Sequence, residues 1–325
     1  MREVEWPFKI SELKELFEVN LAAQVFWIVL DWSITALMIA SSLYFFRGYP
    51  LEFAIPVYLL SILVIASRQH ALLVIAHDSA HCRISENKFL NDFIGNIFCS
   101  FPGLIGVDAY RTHHLNHHRY LNSEKDPDWV RKIYLEEWQF PMSSKTLLQI
   151  LAAQFYRGGL EWLQLTYLIN KMNSAKKRTF QKENLGVSLL WFAATSFFAI
   201  RGWAIYFAFY WIIPMLLIMP ILQRFRSITE HFSLPRLTQF SSSRLTIANF
   251  AEEFFIAPHS VNYHLVHHLF PAIPHYNIKK AHAQLMKDPV YSQFVHINNG
   301  FFSAEPDSTW SELTTKRKFV NSQVA

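Results

Sequence analysis

Charge is scarce in this 325-residue chain. Asp, Glu, Lys and Arg make up 17% of it, against about 25% in soluble domains. Cysteine is scarcer still, and two residues, Cys82 and Cys99, exclude a disulfide framework. No tandem repeat, low-complexity tract or clear second domain interrupts the sequence, which reads as one domain over residues 1–325. The first twenty residues, MREVEWPFKISELKELFEVN, lack an apolar core and a small-residue cleavage site, so no signal peptide is expected. The net charge of +5 is not gathered into a basic stripe with regularly spaced aromatics, which argues against a nucleic-acid partner. Apolar residues, by contrast, reach 51%, with 29 phenylalanines and 10 tryptophans, too many for a disordered chain. A membrane protein is what remains.

Crossing an apolar bilayer core takes about 20 helical residues. Residues 23–46 and 53–76 each suffice, with a short RGYPLE turn between them. Two further spans, 186–200 and 203–222, meet at Arg201-Gly202, and Pro214 and Pro220 predict a kink in the last one. The expected fold is an all-α integral membrane domain: four transmembrane helices in two hairpins, with a helical cap holding a histidine-rich dimetal site. Four spans place both termini and residues 77–185 on one side. Nearly all Lys and Arg lie there, whereas the hairpin loops carry one each, Arg47 and Arg201, so that side is expected to be cytoplasmic. Ile10, Leu13, Leu16 and Phe17 recur at helical spacing, predicting an amphipathic helix on the membrane surface, with a cap on the domain as the alternative. Phe89–Phe101 and Leu147–Ile169 read as interfacial or shallow re-entrant helices.

The 15 histidines are the unusual feature, because most fall in three clusters. His77 and His81 follow directly from the second span. His113, His114, His117 and His118 form the second cluster, and His264, His267 and His268 the third. Residues three or four apart share one face of a helix, so their imidazoles reach the same ion. Eight imidazoles exceed the needs of one tetrahedral ion, so two metal ions sharing them is the economical reading; imidazole suits iron, zinc and copper alike. His113, four residues before His117, competes with His114. His231, about two turns beyond the fourth span, is a ninth candidate ligand. Asp78, Asp126, Asp128, Glu230 and Asn262 are placed to hold the second ring nitrogen of a ligand, solvation and helix capping being the alternative. Cys82 reads as a packed small side chain, and His259, His275, His282 and His296 as structural or solvated.

These motifs resemble the membrane fatty-acid desaturase family. The matching stretches are HDSAH at His77–His81, YRTHHLNHH at Tyr110–His118 with EKDPDW at Glu124–Trp129, and NYHLVHHLFPAIP at Asn262–Pro274. They run in the family's order, from the second span to about Tyr276. The resemblance implies a non-haem di-iron centre, O2 as co-substrate, externally supplied electrons, and a double bond introduced into an acyl chain. Carried over, the ligands are His77, His81, His114, His117, His118, His264, His267 and His268. His114 fits the family's Arg-x-x-His-x-x-His-His run, whereas the HxxxHH spelling of related alkane hydroxylases would use His113. Relatives often carry Glu-His where Glu230-His231 stands, and in several that histidine joins the ligands.

There is no His-Pro-Gly-Gly cytochrome b5 signature and no Gly-rich dinucleotide fingerprint, so electrons are expected from a separate ferredoxin or cytochrome b5. Arg111, Arg119, Arg131 and Lys132 are basic positions for an acidic carrier. A lipid or carotenoid hydroxylase or ketolase of the same fold shares the motifs; the HDSAH and LFPAIP spellings lean towards acyl desaturation. A metal transporter would carry ligands near the bilayer midplane on broken helices, not at helix ends.

Two charges lie inside the spans. Asp31 and Arg68 both fall roughly 12–14 Å from the cytoplasmic boundary at a rise of about 1.5 Å per residue. A membrane-embedded charge costs about 2.5–3.5 kcal/mol or more, so the two are expected to pair. His70, two turns before His77 on the same face, lines a substrate channel or is satisfied by Gln69 or a neighbouring helix.

Overall fold

The computed structural model describes residues 4–172, 177–234, 238–303 and 305–315. A 3-10 helix, Ile10–Phe17, precedes α1 (Leu21–Gly48), α2 (Leu51–Ala80) and α3 (Lys88–Ile94), which widens into a π turn at Gly95–Ser100. Then come α4 (Val107–Tyr120), α5 (Ser144–Met172), α6 (Lys177–Ile200), α7 (Ala204–Phe207) and α8 (Met219–His231). The short helices α9 (Phe250–Phe255), α10 (His264–Leu269), α11 (His275–Leu285), α12 (Pro289–Phe294) and α13 (Thr309–Thr314) follow. The strands β1 (Leu245–Ile247) and β2 (Ile297–Asn299) pair in parallel, Thr246 opposite Asn298, one small ladder in a chain that is mostly helical, as expected.

Four stretches among the described residues are long and apolar enough to cross a membrane: Leu21–Gly48, Leu51–Ala80, Lys182–Ile200 and Ala204–His231. The four expected spans are therefore present. The fourth runs on to His231, because Gln223, Arg224 and Arg226 end its hydropathy without ending its helical hydrogen bonds. Pro214 opens a π turn, Pro214–Ile218, directly after another at Ala208–Ile212; without an N–H it cannot close an ordinary turn, and the helix widens there. Lys88–Gly103 bends by 86° into Val107–Tyr120, the geometry of a broken span or re-entrant loop. The Leu147–Ile169 region lies within α5, a 29-residue helix.

The chain forms two compact units, each discontinuous in sequence. The hairpin unit takes residues from Asn20–His113 and Leu151–Arg224; the histidine unit takes residues from Met1–Val19, His114–Ile150 and Phe225–Ala325.

In the hairpin unit, Asn20 caps α1 by accepting a hydrogen bond from the Ala23 N–H at 3.0 Å. The inner helix is α2, whose apolar window is 83% buried against 6–28% for the other three spans. Polar groups tie α1 to it. Arg68 Nη1 donates to Asp31 Oδ1 at 2.9 Å with both side chains buried, which is the expected intramembrane pair. Ser61 Oγ donates to the Met38 carbonyl at 3.1 Å, and Gln24 Nε2 to Asp78 Oδ2 at 3.0 Å. The same unit has a partly open cavity of about 360 Å³ lined by Ile39, Ile97, Leu190, Trp191, Phe198 and Phe207 among others. Trp32 and Trp211 stack in its wall at 5.2 Å, and the Trp211 carbonyl accepts from Gln69 Nε2 at 2.9 Å. His70 is fully buried in α2 and does not line this cavity.

In the histidine unit, Leu13, Phe240, Leu245, Leu265, Val266 and Tyr291 belong to one buried core. The Ile10–Phe17 segment therefore takes the alternative reading, a cap on the domain. Leu13 is fully buried in that core. The α11 side chains Asn277 and Gln284 donate to the Leu16 and Glu12 carbonyls at 3.1 and 2.6 Å. Burying one leucine side chain is worth about 1.5–3 kcal/mol, and here protein rather than lipid supplies the apolar partner.

Candidate metal centre

Helix α10 separates two kinds of residue. Leu265 and Val266 go into the core, while His264, His267 and His268 occupy the remaining faces. Consecutive residues are about 100° apart around a helix, so His267 and His268 point in different directions, as do His117 and His118 on α4. This angle divides the unit's seven clustered histidines into two sets.

In the first set, His117 from α4 and His231, the last residue of α8, meet His264 and His268; one ring nitrogen from each lies within 4.8 Å of all the others. His264 Nε2 is 2.9 Å from His231 Nε2 and 3.0 Å from His268 Nε2. The second set contains His114, His118 and His267, in which His118 Nε2 is 2.9 Å from both His114 Nε2 and His267 Nε2. A ring nitrogen in neutral imidazole is one donor or one acceptor. Hydrogen bonding therefore cannot satisfy two such contacts at His264 Nε2 or at His118 Nε2. A cation can: imidazoles bound at about 2.0–2.1 Å and at right angles about one ion have nitrogens about 3 Å apart. Both sets have the donors and the spacing for a metal ion.

The hairpin unit holds the remaining pair. His77 lies in the last turn of α2 and His81 directly follows it, their ring centroids 5.1 Å apart. Burial, reinforced by the neighbouring His77, lowers His81 to about 3, so it is a neutral imidazole at ordinary pH, the state a metal ligand needs. His113 is buried in this unit and belongs to no metal-holding group among the described residues.

The residues behind the ligands are of unequal use. Asp126 places both carboxylate oxygens 3.0 Å from His117 Nδ1, which donates to it and so leaves Nε2 for the metal. The same carboxylate accepts the backbone N–H groups of Asn122 and Asp128, both at 2.9 Å, so the EKDPDW loop is wound around it. Asp128 stands 4.0 Å from His117 Nδ1, and Glu230 3.5 Å from His264 Nδ1. Asp78 Oδ1 is 3.9 Å from His77 Nδ1, and Gln24 braces its carboxylate. Gln24 was missed by sequence reasoning, although an amide near the start of an apolar span is a legible signal. Asn262 braces β1 instead of a histidine, donating from Nδ2 to the Thr246 carbonyl at 2.8 Å. His282 bonds the Tyr291 hydroxyl at 3.0 Å and His296 bonds Glu312 at 3.0 Å; among the described residues, neither they nor His259, His275 and Cys82 enter a metal-holding group.

Asp126→Asn keeps the loop's acceptor but removes the charge behind His117. Metal affinity in that set is expected to fall on the order of 10–100-fold, measured by chelator competition; unchanged retention would dismiss the role.

The basic positions are unequally accessible. Arg111 is buried and paired with Asp92 and Asp108. Lys132 donates to Ser227 Oγ at 2.7 Å and lies over the Trp138 ring, while Arg131 pairs with Asp128 at 3.4 Å. Arg119 is exposed.

Comparison with known proteins agrees with the site. The family model described as fatty acid desaturase matches residues 53–297. The chain is 28% identical over 269 residues to dihydrorhizobitoxine desaturase of Bradyrhizobium elkanii, covering 79% of this chain and 76% of that protein. It is 25% identical over 317 residues to an sn-1 acyl-lipid omega-3 desaturase (ferredoxin) of Nostoc sp. (strain 36), covering 89% and 83%. An sn-1 oleoyl-lipid 12-desaturase of Arthrospira platensis is 26% identical over 259 residues, covering 73% and 68%. The chain belongs to the fatty acid desaturase family.

Proposed function

We propose that this member of the fatty acid desaturase family introduces a double bond into the acyl chain of a lipid, using two iron ions, O2 and electrons from a separate carrier. The observation that carries the reading is the convergence of imidazole nitrogens, beyond what hydrogen bonding can satisfy, at His264 and at His118. The proposed ligands are His77, His81, His114, His117, His118, His231, His264, His267 and His268. Ligands at the ends of α2 and α8, away from the middle of those spans, also speak against a transporter.

Iron would supply O2 activation for removal of hydrogen from an unactivated C–H bond. The net reaction takes two hydrogens from adjacent carbons; with two electrons and two protons supplied from outside, O2 leaves as two waters. The chain's own residues hold and shield that chemistry. Asp126 fixes the orientation of His117, and the burial of the imidazoles keeps bulk water out. The cavity beside Trp32 and Trp211 is walled mainly by apolar side chains, which favours a hydrocarbon chain over a small polar substrate. The Nostoc relative is named for ferredoxin, which makes a ferredoxin the first donor to supply, with cytochrome b5 the second. An even number of candidate spans and the placement of Lys and Arg support a cytoplasmic location for the histidines and both termini.

The test is mass spectrometry of total lipid from a host expressing the chain with a ferredoxin and its reductase, beside a His267→Ala control. A new acyl species two hydrogens lighter, absent from the control, is expected, and its fragmentation locates the double bond. A species heavier by one oxygen would move the chain to the hydroxylase reading. Neither product, from protein shown to contain iron, would overturn both.

A further inference from the structure

Two ligands of the proposed set stand where a helix is least well held. His231 is the last residue of α8, and His81 directly follows α2. The final carbonyls of a helix have no intrahelical partner and its last turn frays. A metal ligand has to be held within about 0.5 Å of its productive position. Something in each unit must therefore fix these helix ends.

In the histidine unit that group is Arg244, fully enclosed at 2% exposure, just before β1's first residue. Its Nε donates to the Thr229 carbonyl at 2.6 Å and its Nη2 to the Phe232 carbonyl at 2.7 Å, on either side of His231. Its backbone N–H donates to the Glu230 carbonyl at 2.9 Å. Its own carbonyl accepts the N–H of Leu265, next to His264, at 3.0 Å. One residue thus bonds the end of α8 and the start of α10, which contribute His231 and His264 to the same set. The outer edge of the guanidinium pairs with Glu312 on α13 and with Asn298 on β2. Burial alone would raise Glu312, but the hydrogen bond from His296 and the Arg244 charge more than offset it and hold it at about 2, so this ion pair persists.

The hairpin unit repeats the device. Arg111 Nε donates to the Ala80 carbonyl and Nη2 to the Ser79 carbonyl, both at 2.9 Å, while Asp92 and Asp108 hold its other edge. A guanidinium suits this place because its rigid fork reaches two carbonyls at once and its charge faces the negative end of the helix; the ammonium of lysine has no such fork.

We propose that Arg244 and Arg111 are positioning residues for the metal centre: each clamps the carbonyl end of a histidine-bearing helix and so presets the ligands there before metal arrives. This rests on the reading that the histidines hold metal, and the test keeps the two apart. Purified wild type and Arg244→Lys are stripped with chelator, reloaded with Fe(II) without oxygen, and the iron in the folded, monodisperse fraction is counted. The lysine keeps a charge opposite Glu312, so the fold is retained, while the fork is lost. Wild type is expected to take up two ions and the variant one, the affinity for the other falling on the order of 10–100-fold. Arg111→Lys is expected to weaken binding likewise. Folded Arg244→Lys with two ions at wild-type affinity would overturn the proposal.

Hydrogen exchange on metal-free wild type needs no variant. The clamp predicts that amides of residues 229–232 stay protected without iron; protection that appears only with iron would overturn it. Wild type that takes up no iron while those amides stay protected would sink the metal reading and leave the clamp standing.

Discussion

His264→Ala is expected to bring desaturated product down to the background of the host and to remove one of the two metal ions per chain. The reason lies in how many contacts meet at one atom. His264 Nε2 is the shared neighbour of His231 Nε2 and His268 Nε2, so its loss removes two edges of the set and not one. Changing a group that only supports a ligand costs on the order of 10–100-fold in metal affinity, and losing a ligand exceeds that. His113→Ala is the informative comparison. His113 is buried like His114, yet enters no metal-holding group among the described residues, so this variant is expected to keep both ions. Elemental analysis of the purified proteins beside lipid mass spectrometry checks both. Full metal content in His264→Ala, or loss of an ion in His113→Ala, would refute the assignment.

Breaking the Asp31–Arg68 pair should be the most damaging change outside the histidines. The 2.9 Å contact lies between two spans, with both groups removed from water. Asp31→Ala leaves a buried guanidinium without its carboxylate, and removing one member of such a pair costs about 3–5 kcal/mol. A well-packed apolar double variant, Asp31→Leu with Arg68→Met, removes both charges and is expected to recover most of that loss. The effect belongs to stability and not to chemistry, since Arg68 lies nine residues, about 13 Å of helix, before His77. Thermal unfolding in detergent, with metal counted per folded chain, separates the two. Asp31→Ala as stable as wild type would show that the pair does not lock the hairpin.

Much of the membrane architecture was legible because it rests on local arithmetic. Twenty apolar residues make a span wherever they stand, and two opposite charges at matching depth in adjacent spans have few other partners. Boundaries were less legible: α8 continues to His231 because backbone hydrogen bonding does not end where hydropathy does. The Ile10–Phe17 segment shows the limit of periodicity. An apolar stripe announces that something covers it, and only the fold shows that the cover is a protein core containing Phe240 and Leu265, with the polar side chains of α11 bonded to its backbone.

At the metal centre the division is sharper. Three-and-four spacing along α4 and α10 determines which histidines of one helix share a direction, and the 100° step between neighbours requires His117 and His118, like His267 and His268, to part. Which helix meets which is not written in any spacing. Tertiary structure set His117 with His231, His264 and His268, and His114 with His118 and His267. It also recruited Arg244, which no motif marks, because carbonyls at a helix end need donors and any segment the chain returns there can supply them. The sequence by itself determined the chemistry of the ligands and their order along each helix; long-range packing decided their partners, since those contacts join residues far apart in the chain, 33 positions for His231 with His264 and 149 for His118 with His267.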